Sequence, residues 1–207
     1  MKQKLLILAC ILLSMTALSQ IRSFGPKLGV GISKFYGADE YKKLDPKGGF
    51  VAGGFLEYGL TQRISLQSEI LYSMQGAMVN NNYAIGDIEF EGDNTYYNLN
   101  YLNIPVLAGY RLNYEFTVYA GPQFGYLLSA EKEVNGYTQD IMNDYHQFEL
   151  SGVLGVNYDI NNGFIGDIRF NYGFTNVLEK HIDDEEMNVV NGVFQLMIGY
   201  KIGDNRY

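Results

Sequence analysis

The chain has 207 residues, among them 24 glycines, 18 tyrosines and 12 phenylalanines, with no tryptophan and a formal net charge of -8. That length suits one ordinary domain or one small barrel, and an acidic chain lacks the clustered lysine and arginine that neutralise nucleic-acid phosphates. Its only long apolar run is N-terminal, which excludes a helical membrane protein, since every helical span needs roughly 20 apolar residues.

Lys2 and Lys4 precede Leu5–Leu18, and Ala17-Leu18-Ser19 ends this run in a small-x-small pattern. Residues 1–19 read as a secretory signal peptide, leaving residues 20–207 as the mature domain. Cys10 follows Leu8 and Ala9, a faint lipoprotein signature, but the apolar segment continues well past it. Cleavage after Ser19 removes the one cysteine, so no disulfide is expected. It also removes Lys2 and Lys4, which takes the formal net charge from -8 to -10.

The remainder alternates with period two, the signature of strands. Gly25–Phe35 sets Leu28, Val30 and Ile32 against Lys27, Gly29, Gly31 and Ser33. After a polar loop, Gly48–Tyr58 sets Phe50, Ala52, Leu56 and Tyr58 against Val51, Phe55 and Glu57; a short turn at Gly59–Arg63 follows. Ile64–Gln75 puts Ile64, Leu66, Ile70, Tyr72 and Met74 outward and Ser65, Gln67, Glu69, Ser73 and Gln75 inward. Gly76–Tyr96 reads as a long polar loop. The hairpin Tyr101–Leu128 then turns near Leu112, Asn113 and Tyr114. Its outward face carries Leu102, Ile104, Val106 and Tyr110, then Phe116, Val118, Phe124 and Tyr126.

Ser129–Gln147 is a second long polar stretch. Phe148–Ile160 and Phe164–Gly173 are joined by a tight Asn161-Asn162-Gly163 turn, residues that tolerate positive φ. Phe174–Asn191 is polar again, and the last strand runs through Phe194, Leu196, Ile198, Tyr200 and Ile202. The predicted fold is all-β: an eight-stranded antiparallel up-and-down transmembrane β-barrel, with long loops at one end and short turns at the other. Tyr58, Tyr110, Tyr158 and Tyr200 fall near the short turns, and Tyr72, Tyr126 and Tyr172 near the long loops, giving two interfacial girdles. Pro105 breaks the pattern, because proline cannot donate its ladder hydrogen bond, and a β-bulge is expected there. Pro122 raises the same issue.

Several stretches resemble the PorT-like small outer-membrane β-barrel proteins of Bacteroidetes. They are Tyr101, Leu102, Ile104 and Pro105 (YLNIP), Gly121, Pro122 and Gly125 (GPQFG), Arg169–Val177 (RFNYGFTNV) and Phe194–Lys201 (FQLMIGYK). The resemblance implies an exported cell outer-membrane barrel, a family with some members tied to type IX protein secretion. That family's last strand usually ends at an aromatic, whereas Gly203–Tyr207 continues here, leaving Tyr200 and Tyr207 as alternatives for an assembly signal.

The inward face carries Lys27, Arg111, Arg169 and Lys201 with Glu57, Glu69, Glu149, Asp159 and Asp167. In an interior just wide enough for side chains, these bases and acids are expected to pair into a charge-filled plug. The net acid sits in the long loops: Asp87, Glu89, Glu91 and Asp93; Glu131, Glu133, Asp140 and Asp144; and Glu179, Asp183, Asp184, Glu185 and Glu186. The last run is a candidate contact for a partner or a cation, since carboxylates suit calcium, although no metal-ligand set can be named from the spacing. His146 and His181, the only histidines, lie in or beside long loops, and no GxSxG element accompanies them. The glycines form no GxGxxG ahead of a helix. No catalytic residue and no cofactor is therefore expected.

The function indicated is a non-enzymatic integral outer-membrane component. Its expected surroundings are outer-membrane lipid and lipopolysaccharide, with envelope or secretion proteins as candidate partners. The alternative is a small channel or porin for ions or solutes, which a charge-filled lumen disfavours. A lipocalin-like carrier would need the opposite arrangement, an apolar interior and a polar exterior.

Overall fold

The computed structural model describes residues 21–37, 45–79, 83–85, 88–90, 94–178 and 189–203. Within them lie β1 (Ile21–Gly37), β2 (Asp45–Gly59), β3 (Ile64–Val79), β4 (Tyr83–Ile85), β5 (Ile88–Phe90), β6 (Thr95–Arg111), β7 (Phe116–Val134), β8 (Tyr137–Asp140), β9 (Phe148–Asp159), β10 (Phe164–Gly173) and β11 (Val189–Tyr200). Eight of these close into a barrel in the order β1, β2, β3, β6, β7, β9, β10, β11, with β11 returning to β1. Every pairing is antiparallel, and all but the closing β11–β1 pairing join strands that are consecutive among these eight. The seam is sealed at the turn end by reciprocal backbone bonds between Phe24 and Ile202, at 3.0 and 2.7 Å. The proposed signal segment, residues 1–19, and the acids Glu179, Asp183, Asp184, Glu185 and Glu186 lie outside the described residues.

Alternation fixes which face each side chain takes. Leu28, Val30 and Ile32 are more than half exposed on the outside, while Lys27, which points into the lumen, is 1% exposed. Apolar outside and charged inside is stable only when the surroundings are hydrocarbon. Cross-strand aromatic pairs mark both rims of this belt. Phe116–Tyr158 and Phe164–Tyr200 meet at the turn end, with centroids 4.9 and 5.1 Å apart. Phe50–Tyr72 and Tyr126–Phe148 meet at the loop end, at 5.5 and 5.1 Å.

A barrel strand needs roughly 9–11 residues to cross a membrane. β6 has 17 residues and β7 has 19, so both continue past the loop-end girdle. The stretches Gly76–Tyr96 and Ser129–Gln147, expected to be loops, thus contribute strand: β3 reaches Val79, and β7 turns back as β8 through Asn135 and Gly136, both at positive φ. Those two conformations match the twist of a tight hairpin.

Pro105 and Pro122 do not produce the bulge expected of them. Between β6 and β7 the register is the same on both sides of Pro105, and between β7 and β9 it runs unchanged through Pro122 opposite Gly152. What is lost is pairing: β3–β6 pairs are missing between Ser68/Val106 and Leu71/Asn103, and β6–β7 pairs between Pro105/Gln123 and Ala108/Ala120. Each proline omits one donor while the remaining ladder holds the alignment. The bulge on this pair of strands sits instead at Asn100/Tyr101, where the strands leave the apolar belt.

Candidate functional site

The middle of the lumen is filled by four charged side chains with no solvent exposure. Lys27 on β1 places Nζ 2.7 Å from Glu69 Oε1 and 2.5 Å from Asp167 Oδ2. Arg169 donates through Nη1 and Nη2 to the two oxygens of Glu69, at 2.7 and 2.9 Å, and through Nε and Nη2 to those of Asp167, at 3.0 and 2.6 Å. The planar guanidinium is the one side chain that can serve two carboxylates in this forked manner. Tyr119 donates its hydroxyl to Asp167 Oδ1 at 2.5 Å and lies under the guanidinium, and Gln67 donates its amide to Glu69. Two bases and two acids cancel. Such a cluster satisfies its own polar atoms, which makes burial of the charges tolerable.

A second group lies nearer the turn end. Lys201 Nζ is 2.7 Å from Asp159 Oδ1 and 3.8 Å from Glu57 Oε2, and Ser23 donates to Glu57 at 2.9 Å. Arg22, which the alternation did not single out, joins it at 3.7 Å from Glu57 and also donates to the Thr61 carbonyl at 2.9 Å. Arg111 stands half-buried at the same rim and makes no ion pair among the described residues. In the turn beside it, Arg63 donates to the Tyr110 hydroxyl at 3.4 Å, and that contact raises the already high pKa of its guanidinium.

Glu149 stands outside the expected pairing of inward bases and acids. Its partners are the Tyr101 hydroxyl and the Asn191 amide. The cause is register: Glu149 lies opposite Gly125 near the loop end of the lumen, above the level where the cations lie. It belongs to a tier of uncharged groups. Asn191 donates to Gln75, Asn171 donates to Gln195 at 3.2 Å, and Gln123 donates to Ser151 at 3.1 Å. Glu149 Oε2, Asn103 Nδ2, Asn171 Oδ1 and Asn191 Oδ1 are buried without a protein partner among the described residues. Groups of this kind are satisfied by internal water.

Above that tier the lumen turns apolar. Phe35, Ala77, Leu99, Tyr101, Leu127, Ala130 and Val189 pack together with Tyr145 and Val177, which arrive from the two long connections. Tyr145 bridges to Leu178, and the Val177 amide bonds to the Val189 carbonyl at 2.8 Å, so both connections are pinned across the opening. Sequence alternation missed this closure, because Tyr145 and Val177 sit in stretches that read as polar loops. The inward face also carries Val51, Leu71, Leu107, Val153 and Met197 lower in the barrel, so Leu99, Leu127 and Val189 did not stand out as the start of a separate core.

Outside, β7 and β8 bring Glu131 opposite Asp140, and Asn98 donates to Glu133 at 3.4 Å. Lys47, beyond the loop-end girdle, has its pKa lowered by burial against the opposing pull of Glu133. Among the described residues no group of three or more His, Cys, Asp or Glu side chains is arranged to hold a metal ion. Ser129 and Ser151 accept hydrogen bonds from Asn100 and Gln123, and His146, an exposed residue, uses its backbone amide to hold Val177.

The sequence matches the family described as outer membrane protein beta-barrel domain over residues 18–179. No curated protein matches it. Among solved structures, the fold is similar to that of Ail, the attachment invasion locus protein of Yersinia pestis, at 14% identity and a TM-score of 0.52, covering 88% of this chain and 99% of that one. It is similar as well to Neisserial surface protein A, at 13% identity and a TM-score of 0.57, covering 86% and 97%. In such barrels the short turns face the periplasm and the long loops the exterior. The chain belongs to the outer membrane protein beta-barrel domain family and is an integral outer-membrane β-barrel protein.

Proposed function

We propose that this protein is a non-enzymatic, non-conducting envelope component, a closed barrel that presents its acidic loop end or its periplasmic turns to another component of the cell surface. The observation carrying this reading is closure at two levels: the Lys27–Glu69–Asp167–Arg169 cluster at mid-lumen and the apolar core around Leu99, Leu127 and Tyr145 at the loop end. An ion following the lumen would have to break buried charge pairs and then cross a dry apolar layer. Both steps cost several kcal/mol or more. The channel alternative therefore requires two independent openings.

The PorT-like motifs support an envelope partner, with type IX secretion machinery as the first to examine, and residues 1–19 fit a cleaved export signal. Lipopolysaccharide surrounds the loop end, and the acids Glu179, Asp183, Asp184, Glu185 and Glu186 are the proposed contact for a basic partner or a bridging cation.

Chemical crosslinking in native outer membranes, followed by copurification in mild detergent, tests the reading. A stoichiometric envelope protein crosslinked within residues 179–186 or at a periplasmic turn is the expected result. Recovery of the barrel alone, together with ion conductance, would replace it with the channel reading.

A further inference from the structure

The outward belt is not uniformly convex. Pro26 on β1 lies opposite Gly54 on β2, and Leu56, two residues along β2, lies opposite Ser68 on β3. Small side chains on three adjacent strands thus form the floor of a groove of about 690 Å³, walled by Phe24, Ile70 and Ile202. A second, smaller groove of about 440 Å³ opens over Pro122 and Gly152 on β7 and β9, beside Tyr172 of the loop-end girdle.

The larger groove's position along the barrel identifies the leaflet. Phe24 and Ile202 form the turn-end seam, and Ile64, opposite Tyr110, marks the turn-end girdle on β3. Ser68 lies midway between Ile64 and Tyr72 of the loop-end girdle. The groove thus runs from the periplasmic interface to about the bilayer midplane, the path of one acyl chain in the inner leaflet.

Charge at its mouth selects the head. Arg22, two residues before Phe24, is held against the β2–β3 turn by the Thr61 carbonyl. Arg63, exposed in the same turn, points to Tyr110 of the girdle. The turn itself, Leu60-Thr61-Gln62-Arg63, carries no acid; the nearest carboxylate to Arg22 is Glu57 at 3.7 Å, already shared with Lys201 and Ser23. Two guanidiniums at a membrane interface are suited to a phosphate.

We propose that this groove holds one acyl chain of a phospholipid whose phosphate lies against Arg22 and Arg63. The hydrocarbon replaces the side-chain packing that Pro26, Gly54 and Ser68 omit, and the arginines fix its depth.

The experiment is native mass spectrometry of the full mature barrel, released in mild detergent from vesicles of phosphatidylcholine and phosphatidylglycerol. The expected result is one retained phospholipid per chain, enriched in phosphatidylglycerol. Gly54→Leu fills the groove at the cost of one tight contact, since a Cβ there lies 3.3 Å from the Gly25 carbonyl oxygen and the strand must give by a few tenths of an ångström. Displacing two methylene groups lowers retention about tenfold. Ser68→Leu does the same from the neighbouring strand, and Arg22→Gln with Arg63→Gln abolishes the enrichment while leaving the barrel folded, as heat-modifiable gel mobility reports. Equal lipid retention by folded wild-type and Gly54→Leu barrels, or a second protein chain in place of the lipid, overturns the proposal.

Discussion

Lys27 and Asp167 lie 140 residues apart in the chain, yet Nζ and Oδ2 are 2.5 Å apart inside the barrel. Their strands, β1 and β10, are not neighbours; β11 separates them. The pair consequently ties together parts of the wall that no backbone ladder joins, and it forms only once the barrel has closed.

Removing one member leaves the others buried and unbalanced. Lys27→Met is expected to cost about 3–5 kcal/mol, the range for breaking a buried ion pair. Replacing the cluster as a whole, with Lys27→Met, Glu69→Leu, Asp167→Leu and Arg169→Met together, should recover most of that loss, because no unpaired charge remains. Urea unfolding in lipid vesicles measures both, and tyrosine emission can report it, as the chain has 18 tyrosines and no tryptophan. A single variant within experimental error of wild type would show that the cluster contributes nothing.

Charge alone does not explain Arg169. Its side chain makes four hydrogen bonds to Glu69 and Asp167, a pattern an ammonium cannot reproduce. Arg169→Lys keeps the charge and should still lose about 1.5–3 kcal/mol in the same assay, the worth of hydrogen bonds to charged groups. Full stability in the lysine variant would mean that net charge suffices.

Gly155 faces Arg169 across the β9–β10 ladder. A Cβ at this position would overlap the Tyr119 hydroxyl and lie 2.8 Å from Arg169 Cβ, so the Tyr119–Asp167 bond could not persist. Gly155→Ala is expected to destabilise by about 1–3 kcal/mol, the cost of an unsatisfied buried polar group. Tyr119→Phe should remove the hydrogen-bond part of the difference between glycine and alanine at 155 and leave the part due to crowding of the ring carbon Cζ, 2.5 Å from the added Cβ. An undiminished difference in that double-mutant cycle would place the strain elsewhere.

The apolar core at the loop end should behave as a protein interior. Leu99 is fully buried, and Leu99→Ala is expected to cost about 2–5 kcal/mol through lost contacts and the cavity left behind. Leu28, which faces lipid, should cost a fraction of that, since hydrocarbon flows into the space. Comparable losses at the two positions would indicate that the loop end is not a packed core.

Much of this architecture was legible in the alternation itself. Lys27 between Pro26 and Leu28, or Asp167 and Arg169 on either side of Ile168, could face only one way, and tyrosines near turns marked the two rims. The pairing of particular charges was less accessible, because it depends on strand register around the whole wall: nothing local separates Glu69, which meets two bases, from Glu149, which meets none. The closure at the loop end was hidden for another reason. Tyr145 and Val177 become core residues only because β3, β6 and β7 extend beyond the membrane and give them something to pack against. Pro105 misled because one missing donor was equated with a slipped register, whereas the ladders on either side preserve it.

The central claim is that the lumen is closed, and single-channel recording in planar lipid bilayers tests it most directly. The mature wild-type barrel, refolded and shown by heat-modifiable mobility to be native, should insert without producing discrete conductance steps. Reproducible ohmic steps from the wild-type protein would contradict the account, since ions would then be passing both the Lys27–Glu69–Asp167–Arg169 cluster and the apolar core above it.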